Sequence, residues 1–211
     1  MVEMLESALA GGDVASLMIG HEDLGELENA AKLLTPIAQE KDVAVLIEGS
    51  VEIALKVGAD GVVVDGSVDD YHKARAALGD DIIIGVDCGV DRHVAMAMGE
   101  AGADFVIFDD EAVGSHQGEI LQDTETQLSQ DQLNEPVANW WARVFEVPCV
   151  VMAPQSSANA TDRVIGRVKA SIKSGVEFIC PSTKMWENAA SAEQTVAEYN
   201  QLIKDTPVDE F

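Results

Sequence analysis

Short, almost continuously apolar segments alternate with amphipathic segments along the whole chain, and this alternation most limits the possible folds. The apolar segments are rich in β-branched residues and are predicted to be strands: Val14–Ile19, Val43–Ile47, Gly61–Val64, Ile82–Val86, Phe105–Phe108, Pro148–Met152 and Val176–Cys180. Strands that are apolar on both faces are typical of parallel sheets covered by helices. The pattern therefore predicts a single α/β domain over residues 1–211, with its parallel sheet either open or closed into a barrel.

A weak internal repeat favours the closed barrel. The segment Lys56-Val-Gly-Ala-Asp recurs as Glu100-Ala-Gly-Ala-Asp, and in looser form it begins at Leu9 and at Lys173. In each copy a glycine that can adopt the left-handed conformation ends a helix, and an acidic residue then leads into a strand. Repetition of one strand–helix unit is typical of a (β/α) barrel.

The charge balance limits the partners of the chain. Asp and Glu outnumber Lys and Arg by 38 to 13, which gives a formal net charge of −25. Such a surface repels nucleic acid phosphates and anionic membranes, so neither is expected as a partner. There is no long apolar run and no basic leader, and Cys88, Cys149 and Cys180 have no metal-ligand spacing. A cytoplasmic protein with free core thiols is expected.

Two polar regions and one tryptophan pair interrupt the repeating pattern. Residues 109–135 form a long polar segment after the fifth strand, and residues 205–211 form an acidic tail. A loop of this length is typical of a functional or mobile segment. Trp140 and Trp141 follow it on a predicted helix, and we expect them to anchor that helix to the barrel rather than to bind a ligand.

The order and spacing of the segments resemble those of thiamin phosphate synthase. The matching stretches are Gly58-Ala-Asp-Gly-Val, Ile84-Gly-Val, Gly102-Ala-Asp-Phe-Val and Val147-Pro-Cys-Val-Val. The resemblance implies a TIM-type (β/α)8 barrel that joins a pyrimidine pyrophosphate to a thiazole phosphate, with Mg²⁺ on the pyrophosphate. Only seven strands are predicted, and a helical segment precedes the first, so the family's first strand is expected to be missing. Either residues upstream of Met1 or a homodimer would then close the gap.

The positions that carry the family's chemistry hold different residues here. The resemblance implies a Gln-x-Arg-x-Lys pattern and an Asn-Asp pair for the pyrophosphate, and a Gly-Gly pair for the thiazole phosphate. In the same order, these positions hold Leu17, Ile19 and His21, then Glu48 and Gly49, then Ala153 and Pro154. Leu and Ile cannot neutralise a phosphate, and proline has no N–H to donate. We therefore expect the parent activity to be weak.

The carboxyl ends of the strands are the predicted site, because (β/α) barrels act at that end. The residues predicted there are His21, Glu48, Asp65, Asp87, Asp109, Gln155, Ser182, Thr183 and Lys184. Glu48, Asp65 and Asp87 offer the oxygen ligands that Mg²⁺ prefers, and the ring of carboxylates also suits a cationic ligand. In the alternative interpretation, Asp65 and Asp87 cap the helices that follow them. His21 is a candidate acid or base near neutral pH.

Three functions remain open on the sequence alone. The first is a divergent family member that binds a small molecule at the barrel mouth. The second is a genuine thiamin phosphate synthase with unusual contacts. The third is a non-catalytic scaffold that binds a protein partner.

Overall fold

A computed structural model describes residues 1–109, 136–153, 161–181 and 183–209. All seven predicted strands are present, with boundaries that differ by one or two residues from those expected. The strands are β1 (Ser16–Ile19), β2 (Ala44–Glu48), β3 (Gly61–Asp65), β4 (Ile83–Asp87), β5 (Phe105–Asp109), β6 (Cys149–Met152) and β7 (Phe178–Cys180). The predicted polar segment 109–135 begins with the last residue of β5, and its remainder lies outside the described residues.

The helices lie between the strands, as the alternation predicts. They are α1 (Val2–Ala10), α2 (Leu24–Gln39), α3 (Val51–Val57), α4 (Val68–Leu78), α5 (Arg92–Ala101), α6 (Val137–Val144), α7 (Thr161–Lys173) and α8 (Ala189–Asp205). A short 3-10 helix, Thr183–Glu187, follows β7. In the described part of the chain, no helix is both long and apolar enough to cross a membrane.

The seven strands form one parallel sheet in sequence order, β1 to β7. Among the described residues each end strand has one paired neighbour, so the implied eight-stranded barrel is reduced to a curled seven-stranded sheet. On the outer face, α1, which precedes β1, packs against α8, which follows β7. The contact involves Ala8, Ala192 and Val196, and it connects the two open edges of the sheet. The side-chain amide of Asn200 on α8 adds to this bridge, since it accepts the N–H of Asp13 at 3.1 Å and donates to its carbonyl at 3.0 Å.

Alternation along each strand separates an outer core from an inner one. Outward-facing side chains such as Ile47, Ile84 and Phe108 pack against the helices. The inward-facing side chains form a second apolar cluster: Met18, Leu46, Val63, Ile83, Phe105, Ile107, Val150 and Met152. Gly85 makes room in this inner cluster, because a Cβ there would lie 2.0 Å from the ring of Phe105. The inside of the sheet is thus filled with apolar side chains beneath the strand ends.

The repeated Gly-Ala-Asp segment has a clear structural role. Gly58 and Gly102 end their helices with φ of 69° and 95°, which side chains with a Cβ rarely adopt. The acidic residue that follows then accepts the N–H of a residue at the start of the preceding strand. Asp60 binds Val45 at 2.7 Å, Asp104 binds Ile84 at 2.7 Å, and Glu177 binds Cys149 at 3.0 Å. These three copies therefore tie the amino-terminal ends of neighbouring strands together, and the copy that begins at Leu9 precedes the first strand and forms no such bond among the described residues.

The tryptophan pair anchors α6, as predicted. Trp141 is fully buried, packs against Phe108 and donates its indole N–H to the carbonyl of Val147 at 2.7 Å. The ring of Phe145 stacks on Trp141 with centroids 4.0 Å apart. Trp140 packs partly buried beside it. These contacts hold the helix on the outer face of the sheet, away from the strand ends.

Candidate functional site

Four carboxylates end four consecutive strands. Glu48, Asp65, Asp87 and Asp109 are the last residues of β2, β3, β4 and β5, and all four are exposed. Because side chains alternate along a strand, each lies on the same face as the inward residue two positions earlier, which is Leu46, Val63, Gly85 or Ile107. Asp65 and Asp87 are directly paired in the sheet register. We call this inner rim the mouth and include in it Gly20, which follows β1.

The surroundings of Glu48 disfavour the ionised form of its carboxyl group. Its pKa is raised above 4.5, first because its carboxylate is partly desolvated and then because Asp87 and Asp65 lie nearby. The residue as a whole is exposed, so the desolvation comes from one side, where the carboxylate lies against the neighbouring strand. The three side chains therefore share one electrostatic environment.

Gly20 explains where the carboxylate of Glu48 lies. A Cβ on residue 20 would be 1.9 Å from Oε2 of Glu48 and 2.9 Å from its Cδ. Gly20 does not have a positive φ, so its backbone conformation does not require a glycine, and an added Cβ would have to displace the flexible end of the Glu48 side chain. The Glu48 side chain thus occupies the volume that a side chain of residue 20 would need.

The capping interpretation of Asp65 and Asp87 is wrong. The hydroxyl of Ser67 caps α4, and the carboxylate of Asp91 caps α5 through the N–H groups of His93 and Val94. Asp87 instead accepts the N–H of Gly89 at 2.9 Å, which holds the turn after β4. Both carboxylates of the pair thus remain at the mouth, without a capping role.

Of the other predicted site residues, some are described by the structure and the rest lie wholly or partly outside its described part. His21 is exposed in the loop after β1, and its Nδ1 accepts the N–H of Asp23, the residue that caps α2. Thr183 is exposed at the start of the 3-10 helix. Gln155, Ser182 and the side chain of Lys184 lie outside the described residues. The geometry therefore brings Glu48, Asp65, Asp87 and Asp109 to one rim and leaves His21 beside it.

The side chains of β1 alternate between the outer core and the mouth. Leu17 and Ile19 face outward and pack in the outer core, where Ile19 is 7% exposed. The inward positions are those of Met18 and, two residues on, Gly20. Leu17 and Ile19 therefore do not face the mouth, whatever residues the family places there. The strand pairing of Met18 with the inward Leu46 identifies the correct face.

The described residues do not fit a directly bound Mg²⁺. Within residues 1–109, 136–153, 161–181 and 183–209, no three His, Cys, Asp or Glu side chains are grouped closely enough to hold a metal ion. Glu48, Asp65 and Asp87 influence one another electrostatically, but they do not surround a common centre. The metal set expected from the sequence is thus not assembled in this structure.

The cysteines near the strand ends are unreactive in character, as expected. Cys88 and Cys149 are buried and Cys180 is partly buried, all as free thiols. Burial raises the pKa of Cys88 to about 12 and that of Cys180 to about 11. At neutral pH these groups are almost entirely thiols, which are poor nucleophiles.

The family model and the curated relatives that match this chain identify one family. The family model described as thiamine monophosphate synthase matches residues 1–185. A thiamine-phosphate synthase of Rhodospirillum centenum is 29% identical over 95% of this chain and 89% of its own length. That of Hyphomonas neptunium is 30% identical over 95% and 85%. A solved thiamine phosphate pyrophosphorylase from Pyrococcus furiosus has a TM-score of 0.70 at 18% identity, covering 97% of this chain and 90% of its own. The chain therefore belongs to the thiamine monophosphate synthase family.

Proposed function

We propose that this family member binds a small, positively charged molecule at the mouth and makes little or no thiamin phosphate. The observation that carries the proposal is the carboxylate of Glu48 lying over the bare Cα of Gly20. The family resemblance implies Asn at the position of Glu48. A neutral side chain has thus been replaced by a negative one, and Gly20 contributes no side chain that could offset its charge.

Charge at the mouth opposes phosphate. Pyrophosphate carries about three negative charges, which Arg, Lys, a metal or backbone N–H groups must offset. The segments that connect each strand to the next α-helix contain a single lysine or arginine, Lys184. Each pair of like unit charges 4 Å apart costs about 1 kcal/mol even in water. A pyrophosphate beside Glu48 would thus lose roughly 2 kcal/mol, before Asp65 and Asp87 are considered.

The position of the family's Gly-Gly pair also disfavours a phosphate. Ala153 is buried, and its N–H already donates to the carbonyl of Cys180 at 2.8 Å. Pro154 has no N–H by its chemistry. The two backbone donors that the resemblance implies for the thiazole phosphate are therefore not available in this chain.

The apolar inner cluster supports an organic ligand. Met18, Ile107 and Met152 lie on the inner face of the sheet beneath the rim. A molecule with an apolar body and a positive group would place its body over this cluster and its charge among the carboxylates. Burial of the apolar body contributes about 25 cal/mol per Å² of surface removed from water.

Two probes of similar shape and opposite charge test the proposal. Benzyltrimethylammonium and benzylphosphonate share the ring and differ in the sign of the charged group. Titration of ¹⁵N-labelled protein is expected to shift the amides of Gly20, Gly49 and Gly66 with the ammonium probe and to leave them unchanged with the phosphonate. Preference for the phosphonate, or no response to either probe, would contradict the proposal.

A second candidate function is thiamin phosphate synthesis itself. One observation favours it: the relatives named thiamine-phosphate synthase align with 95% of this chain at 29% and 30% identity. Product formation from the two phosphorylated precursors separates this candidate from the first.

A further inference from the structure

We infer that Gly20 and Glu48 form a specificity-determining pair, in which the absence of a side chain at Gly20 leaves the space that the Glu48 carboxylate occupies in the mouth, and the carboxylate excludes phosphate-bearing ligands. The inference rests on the proposed function in one respect, since it takes the mouth as the binding site. It assigns the choice of ligand charge to one contact between two neighbouring strands.

Gly20 and Glu48 fit closely against each other across β1 and β2. Ile19 and Ile47 are paired in the sheet, so the residues that follow them, Gly20 and Glu48, are neighbours. A Cβ on residue 20 would meet three atoms of Glu48, namely Oε2 at 1.9 Å, Cδ at 2.9 Å and Cβ at 3.2 Å. The whole side chain of Glu48 thus lies over Gly20. Any larger residue at position 20 has to displace it.

Electrostatic repulsion favours one orientation of the Glu48 side chain. Asp65 and Asp87 lie on the β3 and β4 side of Glu48, and both raise its pKa. Repulsion from these two carboxylates favours a Glu48 conformation directed towards β1, where Gly20 offers space. Sterics and charge therefore place the carboxylate in the same position, where an anionic ligand entering beside β1 and β2 meets it first.

The first test measures the contact itself, without a ligand. In Gly20→Ala, the added methyl group is expected to push Glu48 into solvent. The pKa of its carboxyl, followed by ¹³C NMR, should then fall towards 4.5. Gly166→Ala is the matched control, because a Cβ there meets no atom within 4 Å. An unchanged Glu48 pKa in Gly20→Ala would overturn the steric coupling.

The second test measures selection with inorganic pyrophosphate, followed by ³¹P NMR. Glu48→Gln keeps the size of the side chain and removes its charge. It is expected to bind pyrophosphate about thirtyfold more tightly than the parent chain, the change in affinity that corresponds to roughly 2 kcal/mol. Gly20→Lys/Glu48→Gln should bind it more tightly still. Glu100→Gln, an exposed change on α5, is the control and should leave the affinity unchanged.

The outcomes separate this inference from the proposed function. Equal pyrophosphate affinity in the parent chain, Glu48→Gln and the double variant would overturn the pair as the determinant of ligand charge. Efficient thiamin phosphate synthesis by the parent chain would instead overturn the proposed function. Because Glu48→Gln preserves shape, it tests the charge even if the double variant fails to fold.

Discussion

Replacing Asp104 by alanine is expected to lower the free energy of unfolding by about 3 kcal/mol. One oxygen of this carboxylate accepts the N–H of Ile84 at 2.7 Å and a guanidinium N–H of Arg75 at 2.6 Å. Ile84 is fully buried, so its N–H has little access to water when the acceptor is removed. A hydrogen bond to a charged group contributes about 1.5–3 kcal/mol. The Arg75 ion pair adds at most about 1 kcal/mol, because the Asp104 side chain is 45% exposed.

Thermal and urea unfolding, followed by circular dichroism, measure this loss. For a chain of this length, about 3 kcal/mol corresponds to a fall in Tm of roughly 6–12 °C. Asp104→Asn keeps an acceptor for Ile84 and should lose only about half as much. Asp70→Ala is the control, because its ion pair with Lys73 is largely exposed and is worth less than about 1 kcal/mol. If Asp104→Ala costs no more than Asp70→Ala, the strand-tying role of the repeated acidic residue is refuted.

Three further predictions concern the mouth, the thiols and the sheet edges. Because the folded state raises the pKa of Glu48, ionisation of its carboxyl lowers the stability of the protein as pH rises through the folded pKa. Glu48→Gln should thus stabilise the protein at pH 7 and have no effect below about pH 4. A gain in stability that is independent of pH would contradict this. Cys88 and Cys149 are buried with raised pKa values. A chromogenic disulfide reagent at pH 8 should therefore label them only after the protein is unfolded in urea. Rapid labelling of these two thiols in the native protein would contradict their burial. Within the described part of the chain, β1 and β7 each have an unpaired edge. Light scattering should therefore give the mass of a dimer, whereas a monomer would show that these edges need no partner chain.

Local patterns in the sequence account for most of the fold. The strands were predictable because parallel strands buried on both faces are continuously apolar, and this signal is contained in each segment. The repeat at Asp60 and Asp104 was also visible, but its partners were not. Val45 and Ile84 lie 15 and 20 residues earlier in the chain, so the hydrogen bonds appear only when the strands pair.

The site was less predictable because it depends on faces and on contacts distant in sequence. The short apolar run of β1 did not show which face each residue takes, and the structure places Leu17 in the outer core and Met18 in the inner cluster. The caps were misplaced because Ser67 and Asp91, a few residues after the predicted carboxylates, lie at the actual helix starts. The contact of Gly20 with Glu48 joins residues on two strands, and no local pattern reports it.

Formation of thiamin phosphate by the purified chain is the measurement that tests the central claim most directly. The assay contains the pyrimidine pyrophosphate, the thiazole phosphate and Mg²⁺, and the Rhodospirillum centenum synthase serves as the positive control. The mouth carries carboxylates and a glycine at position 20, and the N–H of Ala153 is already used in a hydrogen bond. We therefore expect turnover at least about a hundredfold below the ~10 s⁻¹ that is typical of enzymes. Turnover close to that of the control would contradict the proposal that this mouth rejects phosphate.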